Sequence, residues 1–161
     1  AFSKYSGELA ALRTHSSILR TNFVGRSKVF HRESLTDWVY NSIKGEKNVE
    51  VLTDVLFSPL SINILVKMIN LVVIEKPIGI FNLGSHGGMS KAEFDFLFAK
   101  ALNLPTKTME KIVTSEANFL DVYRPKDMRM NVSKFEKTLG VTLPDLRDVI
   151  YEIAEEYLDE T

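Results

Sequence analysis

Two short apolar segments limit what this chain can fold into. Ser17-Ile18-Leu19-Arg20-Thr21 follows a helix-patterned stretch and is closed by Gly25, and Ile78 to Leu83 follows a second one and stops at Gly84. Short strands that alternate with helices mark an α/β architecture. Few of the predicted strands are suited to pair with one another, so the runs at Ile18 and Ile80 are expected to join a parallel sheet supplied by sequence outside these 161 residues.

The helices between them are read from spacing. Phe2, Tyr5, Leu9 and Leu12 recur at helical intervals, so the chain opens inside an amphipathic helix ending near Thr14. A polar, basic loop over 26–32 precedes a helix at 35–43 stopped by Gly45, and Val49-Glu50-Val51 alternates as a strand does. Ile62, Leu65, Val66, Ile69, Val72 and Val73 form a strong helical stripe with Ser61 as N-cap. Ser90-Lys91-Ala92-Glu93 is a capping box: the serine hydroxyl accepts from the N3 amide while the glutamate reaches back to the cap amide. Its helix turns Phe94, Leu97, Phe98 and Ala101 inward. After an irregular middle, a short helix over 133–139 closes at Gly140. A last one opens near Asp145, with Leu146, Val149, Ile150, Ile153 and Tyr157 on one face.

Composition narrows the function classes. A net charge of -1 with interspersed signs gives no electrostatic reason to expect nucleic acid or an anionic membrane as partner. The absence of cysteine excludes disulfides, thiolate zinc sites and cysteine nucleophiles, which fits a cytoplasmic protein. The longest apolar run, 62–74, is interrupted by Asn63, Lys67 and Asn70 and does not span a bilayer.

Motifs that carry chemistry are sparse. His15, His31 and His86 share no helical face and have no metal-ligand spacing. Gly84-Ser85-His86-Gly87-Gly88 lies between a strand and a helix, where free amides can hold an anion, but a tight turn using positive φ accounts for it more simply. Tyr40 and Lys44 satisfy the bare pattern YxxxK, in which an ammonium lowers a phenol's pKa. They sit at a helix end before Gly45, as a surface i,i+4 pair.

Ala1-Phe2-Ser3-Lys4-Tyr5-Ser6-Gly7-Glu8 resembles the segment that follows the catalytic tyrosine in extended short-chain dehydrogenases/reductases. Further blocks extend the resemblance in order along the chain: Leu19-Arg20-Thr21-Asn22-Phe23-Val24-Gly25, Thr53-Asp54 through Ser58-Pro59, Gly79 to Ser85, Met89 to Phe94, Arg124-Pro125 through Phe135, and Gly140 to Asp145. Together they resemble the C-terminal half of the dTDP-4-dehydrorhamnose reductase group, related to the NAD-dependent sugar epimerases. The resemblance implies a Rossmann-like α/β fold. On that reading 1–25 closes the dinucleotide-binding domain, 26–161 is mainly the substrate-binding region, and the strand at 78–84 returns to the Rossmann sheet.

It also implies a chemistry. In this family NADPH or NADH delivers hydride to a ketone on a nucleotide-linked sugar, and the tyrosine supplies the proton. Lys4 takes the position of the lysine that binds the nicotinamide ribose and lowers the tyrosine's pKa. Thr21 and Asn22 lie by position beside the cofactor, while Phe23, Ser58 and Arg124 lie on the substrate side. Phe23 replaces a sugar-contacting tryptophan, keeping the apolar face and losing the indole N–H, and Leu60 replaces a threonine beside Pro59. The glycine-rich pyrophosphate turn is absent from these 161 residues, and the tyrosine would immediately precede Ala1. The chain by itself is therefore expected to be inactive. Other readings are a sugar-nucleotide epimerase, a non-catalytic regulatory or binding relative of the same fold, and an interaction module without a ligand. A two-fold dimer through the first helix is implied as the partner arrangement.

Overall fold

The computed structural model describes residues 2–29, 31–117 and 125–158. Helix α1 (Phe2–Leu12) leads through a short reversal into strand β1 (Ser17–Thr21). The two runs that were expected to need an outside sheet pair with each other: β1 lies parallel to β6 (Gly79–Leu83), with Ser17 opposite Gly79 and Thr21 opposite Leu83. A crossover of 57 residues separates the end of β1 from the start of β6, ample for a parallel connection. That crossover includes α3 (Ile62–Glu75), capped as predicted by Ser61, whose hydroxyl accepts from the Ile64 amide.

Further pairings, which the sequence pattern did not reveal, form separate small sheets. Strand β2 (Phe23–Val24) runs parallel to β5 (Leu60–Ser61), and β3 (Val49–Leu52) runs parallel to β8 (Met109–Ile112). Strand β4 (Leu56–Phe57) is flanked by antiparallel β7 (Met89–Ser90) and parallel β9 (Asp127–Met128). Two-residue strands are too short to show a period, so only their partners define them.

The main core is built by α2 (Leu35–Lys44), β3, α4 (Lys91–Ala101) and α6 (Leu146–Leu158). The apolar face predicted for α6 is buried throughout, from Leu146 to Tyr157. Helix α4 carries the Ser90–Glu93 capping box, and α2 carries a second one between Ser34 and Asp37. Tyr157 crosses this core, donating to Asp37 Oδ1 at 2.7 Å and packing edge-on against Phe98. Burial alone would raise the Asp37 carboxyl, but hydrogen bonds from Tyr157, Ser34 and Ser27 outweigh it and hold the group below its ordinary value. A second cluster joins Leu60, Leu65, Val72, Phe81 and Leu83 to Phe135 of α5 (Ser133–Leu139), which ends at Gly140 in the left-handed conformation.

Two faces depart from the simple amphipathic reading. Only Leu65 and Val72 of the α3 stripe are buried, while Val66, Ile69 and Val73 face outward. Helix α1 buries nothing, and Phe2 is 83% exposed. Tyr40 and Lys44 form the expected surface pair, with the ammonium 5.4 Å from the ring centroid.

Asp95 on α4 is buried in this fold, and its Oδ1 has no hydrogen-bond partner. Burial pushes its carboxyl up to about 8, against a smaller opposing pull from Lys91. The folded chain thus keeps a proton that the unfolded chain releases near pH 4. Stability from this group is complete below about pH 4 and is lost as the pH rises to about 8. In urea unfolding, the wild-type chain should lose stability between pH 5 and pH 8. Asp95→Asn should flatten that slope and be more stable at pH 8 by about 2 kcal/mol. Parallel pH profiles for the two proteins would contradict this assignment.

Candidate functional site

The carboxyl ends of β1 and β6 lie side by side, because the parallel register sets Thr21 beside Leu83. In open α/β sheets ligands bind in the crevice beyond such ends. The residues that follow β1 are tied down from several directions. The Asn22 carbonyl accepts from the Leu60 amide at 3.2 Å, and its side-chain amide donates to the Met128 carbonyl at 3.4 Å. Asn22 Oδ1 is buried without a partner among the described residues, leaving an acceptor at the strand end. The Thr21 hydroxyl is partly buried and donates weakly to the Asn22 carbonyl at 3.3 Å. Phe23 pairs with Leu60 through its backbone while its ring is 56% exposed.

Lys4 lies on α1, which a side-chain pair ties to β1. The Glu8 carboxylate accepts a bidentate pair from Arg20, at 2.9 Å from Nε and 2.6 Å from Nη2. That bond lowers the Glu8 pKa. A short turn separates α1 from β1. Lys4 stands one turn before Glu8, about 6 Å along the helix axis. Its side chain is exposed.

Ser58 occupies a different setting. It is almost fully buried, its hydroxyl accepts from the Met130 amide at 3.0 Å, and its carbonyl accepts from the Ser85 amide at 3.0 Å. It lies at the floor of a cleft of about 790 Å³ shared with the 85–88 loop, Arg129 and Asn131. The loop is a tight turn as the sequence implied: Gly87 has φ +76°, and a Cβ there would fall 2.5 Å from the Asp145 carboxylate. The amides of Ser85 and His86 are already used by Ser58 and Pro144. Arg129 escaped the sequence reading. Its guanidinium grips Asp127 at 2.9 and 2.7 Å and holds that carboxyl at about 2. An arginine two residues after an aspartate was the available signal. Arg124 lies outside the described residues.

Thr21, Asn22 and Phe23 thus follow one another at the end of β1, Lys4 stands on α1 one turn before the Glu8 that binds Arg20, and Ser58 lies apart beneath the neighbouring cleft. His86 is engaged with Glu136 at 2.7 Å, and no cluster suited to a metal ion exists among the described residues. No described helix is long and apolar enough to cross a membrane. Leu60, whose lack of a hydroxyl stood out in the sequence, is fully buried in the second cluster and serves packing.

The sequence matches the family model of the RmlD substrate binding domain over residues 1–159. No curated protein matches it. Among solved structures, it is similar to dTDP-4-dehydrorhamnose reductase from Bacillus anthracis in complex with NADP, at 20% identity and a TM-score of 0.83, covering 99% of this chain and 54% of the other. A hypothetical dTDP-4-dehydrorhamnose reductase from Sulfolobus tokodaii is 25% identical, with a TM-score of 0.74 over 90% of this chain and 50% of the other. UDP-N-acetylglucosamine 4-epimerase from Methanobrevibacter ruminantium, in complex with UDP-N-acetylmuramic acid, is 14% identical, with a TM-score of 0.73 over 98% and 53%. The chain thus spans about half the length of these structures, and its fold is the corresponding part of an extended short-chain dehydrogenase. It belongs to the RmlD substrate-binding-domain family.

Proposed function

We propose that this chain supplies the sugar side of the cleft, and one catalytic lysine, to a nucleotide-sugar oxidoreductase of the dTDP-4-dehydrorhamnose reductase kind. The observation that carries this reading is the parallel β1–β6 register, which sets Thr21, Asn22 and Phe23 at the carboxyl end of β1, with α1 tied to that strand through Glu8 and Arg20. The similar structure from Bacillus anthracis holds NADP, and the epimerase holds a UDP-linked sugar.

The residues present fit the nicotinamide end of NADP or NAD. Asn22 Oδ1, unpartnered among the described residues, is an acceptor for a hydroxyl or an amide, and Lys4 brings a cation on the helix tied to β1. When bound, the cofactor supplies hydride chemistry. Lys4 then binds ribose hydroxyls, and its positive charge favours the ionised form of a neighbouring phenol, easing proton delivery to the sugar oxygen. Asn22 fixes the strand end through Met128, and the exposed Phe23 ring offers an apolar face to the sugar. On the substrate side, Ser58 keeps the loop floor in place, and Arg124 is assigned to the nucleotide's phosphates, a task suited to its fork of donors.

The parallel pairing of β1 with β6 supports assigning 1–25 and the strand at 78–84 to the dinucleotide-binding domain, with the rest of 26–161 mainly binding substrate. The outward face of α3 and the open edge of β1 suit the remainder of that sheet. The apolar face of α1 suits a second copy of the protein in a two-fold dimer. A non-catalytic relative is the competing reading. The loss of the indole donor at Phe23 favours it, whereas the buried Leu60 gives it no support.

The full-length protein carrying this chain should oxidise NADPH or NADH only when a nucleotide-linked keto sugar is present. Lys4→Met should lower kcat/KM by about 100-fold or more without unfolding the protein. No turnover with any such sugar would favour the non-catalytic relative, and full activity of the variant would remove Lys4 from the mechanism. Sedimentation at several concentrations should find a dimer that Leu9→Lys dissociates; a strict monomer would refute the α1 interface.

A further inference from the structure

A second concavity, of about 320 Å³, opens on the outer side of α4 and shares no residue with the cleft floored by Ser58. Met89, Phe96 and Leu97 give it apolar walls, and Lys100, Lys111 and Arg147 bring three cations to it. The cations come from three separate elements: the last turn of α4, strand β8 and the start of α6. The fold has therefore converged them on one place.

Their charge is left uncompensated. None of the three forms an ion pair among the described residues. The one acid in the wall, Glu93, is committed elsewhere: its Oε2 accepts from both the amide and the hydroxyl of Ser90 at 2.8 Å, completing the α4 capping box. Those two bonds hold the carboxyl below its ordinary value, and Arg147 and Lys111 deepen the effect by charge alone. Lys111 rests its ammonium 5.1 Å from the centroid of Phe96. Three cations against one carboxylate leave a net charge of +2. A phosphate monoester near neutral pH carries close to that charge with the opposite sign.

We infer that this concavity is a binding site for a small aromatic phosphate monoester, its ring against Phe96, Leu97 and Met89 and its phosphate among Lys100, Lys111 and Arg147. Arginine matches phosphate oxygens through its planar fork, and lysine adds a compact charge. The apolar wall supplies what an inorganic ion cannot use. A shallow cavity of this size sits near the lower end of small-molecule sites, which run from about 300 to 1,000 Å³.

Isothermal titration of the protein with phenyl phosphate tests the inference, with inorganic phosphate and benzyl alcohol as separate arms. Phenyl phosphate should bind saturably, more weakly as salt rises, and about tenfold or more tighter than either control. The exposed pair Lys111→Gln with Arg147→Gln should cost at least about tenfold in affinity while leaving the circular dichroism spectrum unchanged. Lys100→Gln alone should have a smaller effect. Equal binding of inorganic phosphate would reduce the site to a cationic patch and overturn the inference. Absence of saturation, or binding indifferent to the double variant, would overturn it as well.

Discussion

The parallel ladder between β1 and β6 is the constraint on which the rest depends. It brings together segments from the two ends of a long crossover and sets their carboxyl ends level, so that Asn22 and the loop after Leu83 border the same region. Leu19, Phe81 and Leu83 turn one face of the ladder into the second cluster against Phe135, which keeps the pair in register. A one-residue slip would turn Phe81 and Leu83 away from that cluster. Several of the described residues proposed for the ligand side depend on this register. Asn22 does so directly, Lys4 through the Glu8–Arg20 pair, and Ser58 through its bond to Ser85.

The two concavities divide the chemistry of the surface. The cleft above Ser58 is nearly balanced in charge, because Arg129 is already matched by Asp127. The concavity on α4 has an excess of positive charge over an apolar wall. Between them lies a core whose few buried polar groups are handled in two ways. Asp37 is surrounded by donors and stays ionised, whereas Asp95, with one oxygen unpartnered, keeps its proton. The same residue type takes different charge states at the two positions because hydrogen bonding stabilises one carboxylate and desolvation dominates the other.

Much of the architecture was legible in the sequence wherever a long period or a cap was present. The helices beginning at Leu35, Ile62, Lys91 and Leu146 follow from spacing and from Ser61 and Ser90. Periodicity does not say what an apolar face packs against. Val66, Ile69 and Val73 carry the same pattern as Leu65 and Val72, yet they remain uncovered here. The short strands at Leu56, Leu60, Met89 and Asp127 were not legible, since each exists only through its partner. The proposed site residues Lys4, Thr21, Asn22 and Phe23 come from a motif resemblance. The free acceptor on Asn22, the buried place of Ser58 and the grip of Arg129 on Asp127 arise from contacts between segments distant in sequence or from local geometry.

The central claim is that the end of β1 and the start of α1 together face the nicotinamide end of the cofactor. A crystal structure of the full-length protein with NADP or NAD bound tests it most directly. The account predicts the Lys4 ammonium within hydrogen-bond distance of the ribose hydroxyls next to the nicotinamide, with Asn22 Oδ1 facing the cofactor or the sugar. A cofactor seated away from β1, with Lys4 pointing into solvent, would contradict it.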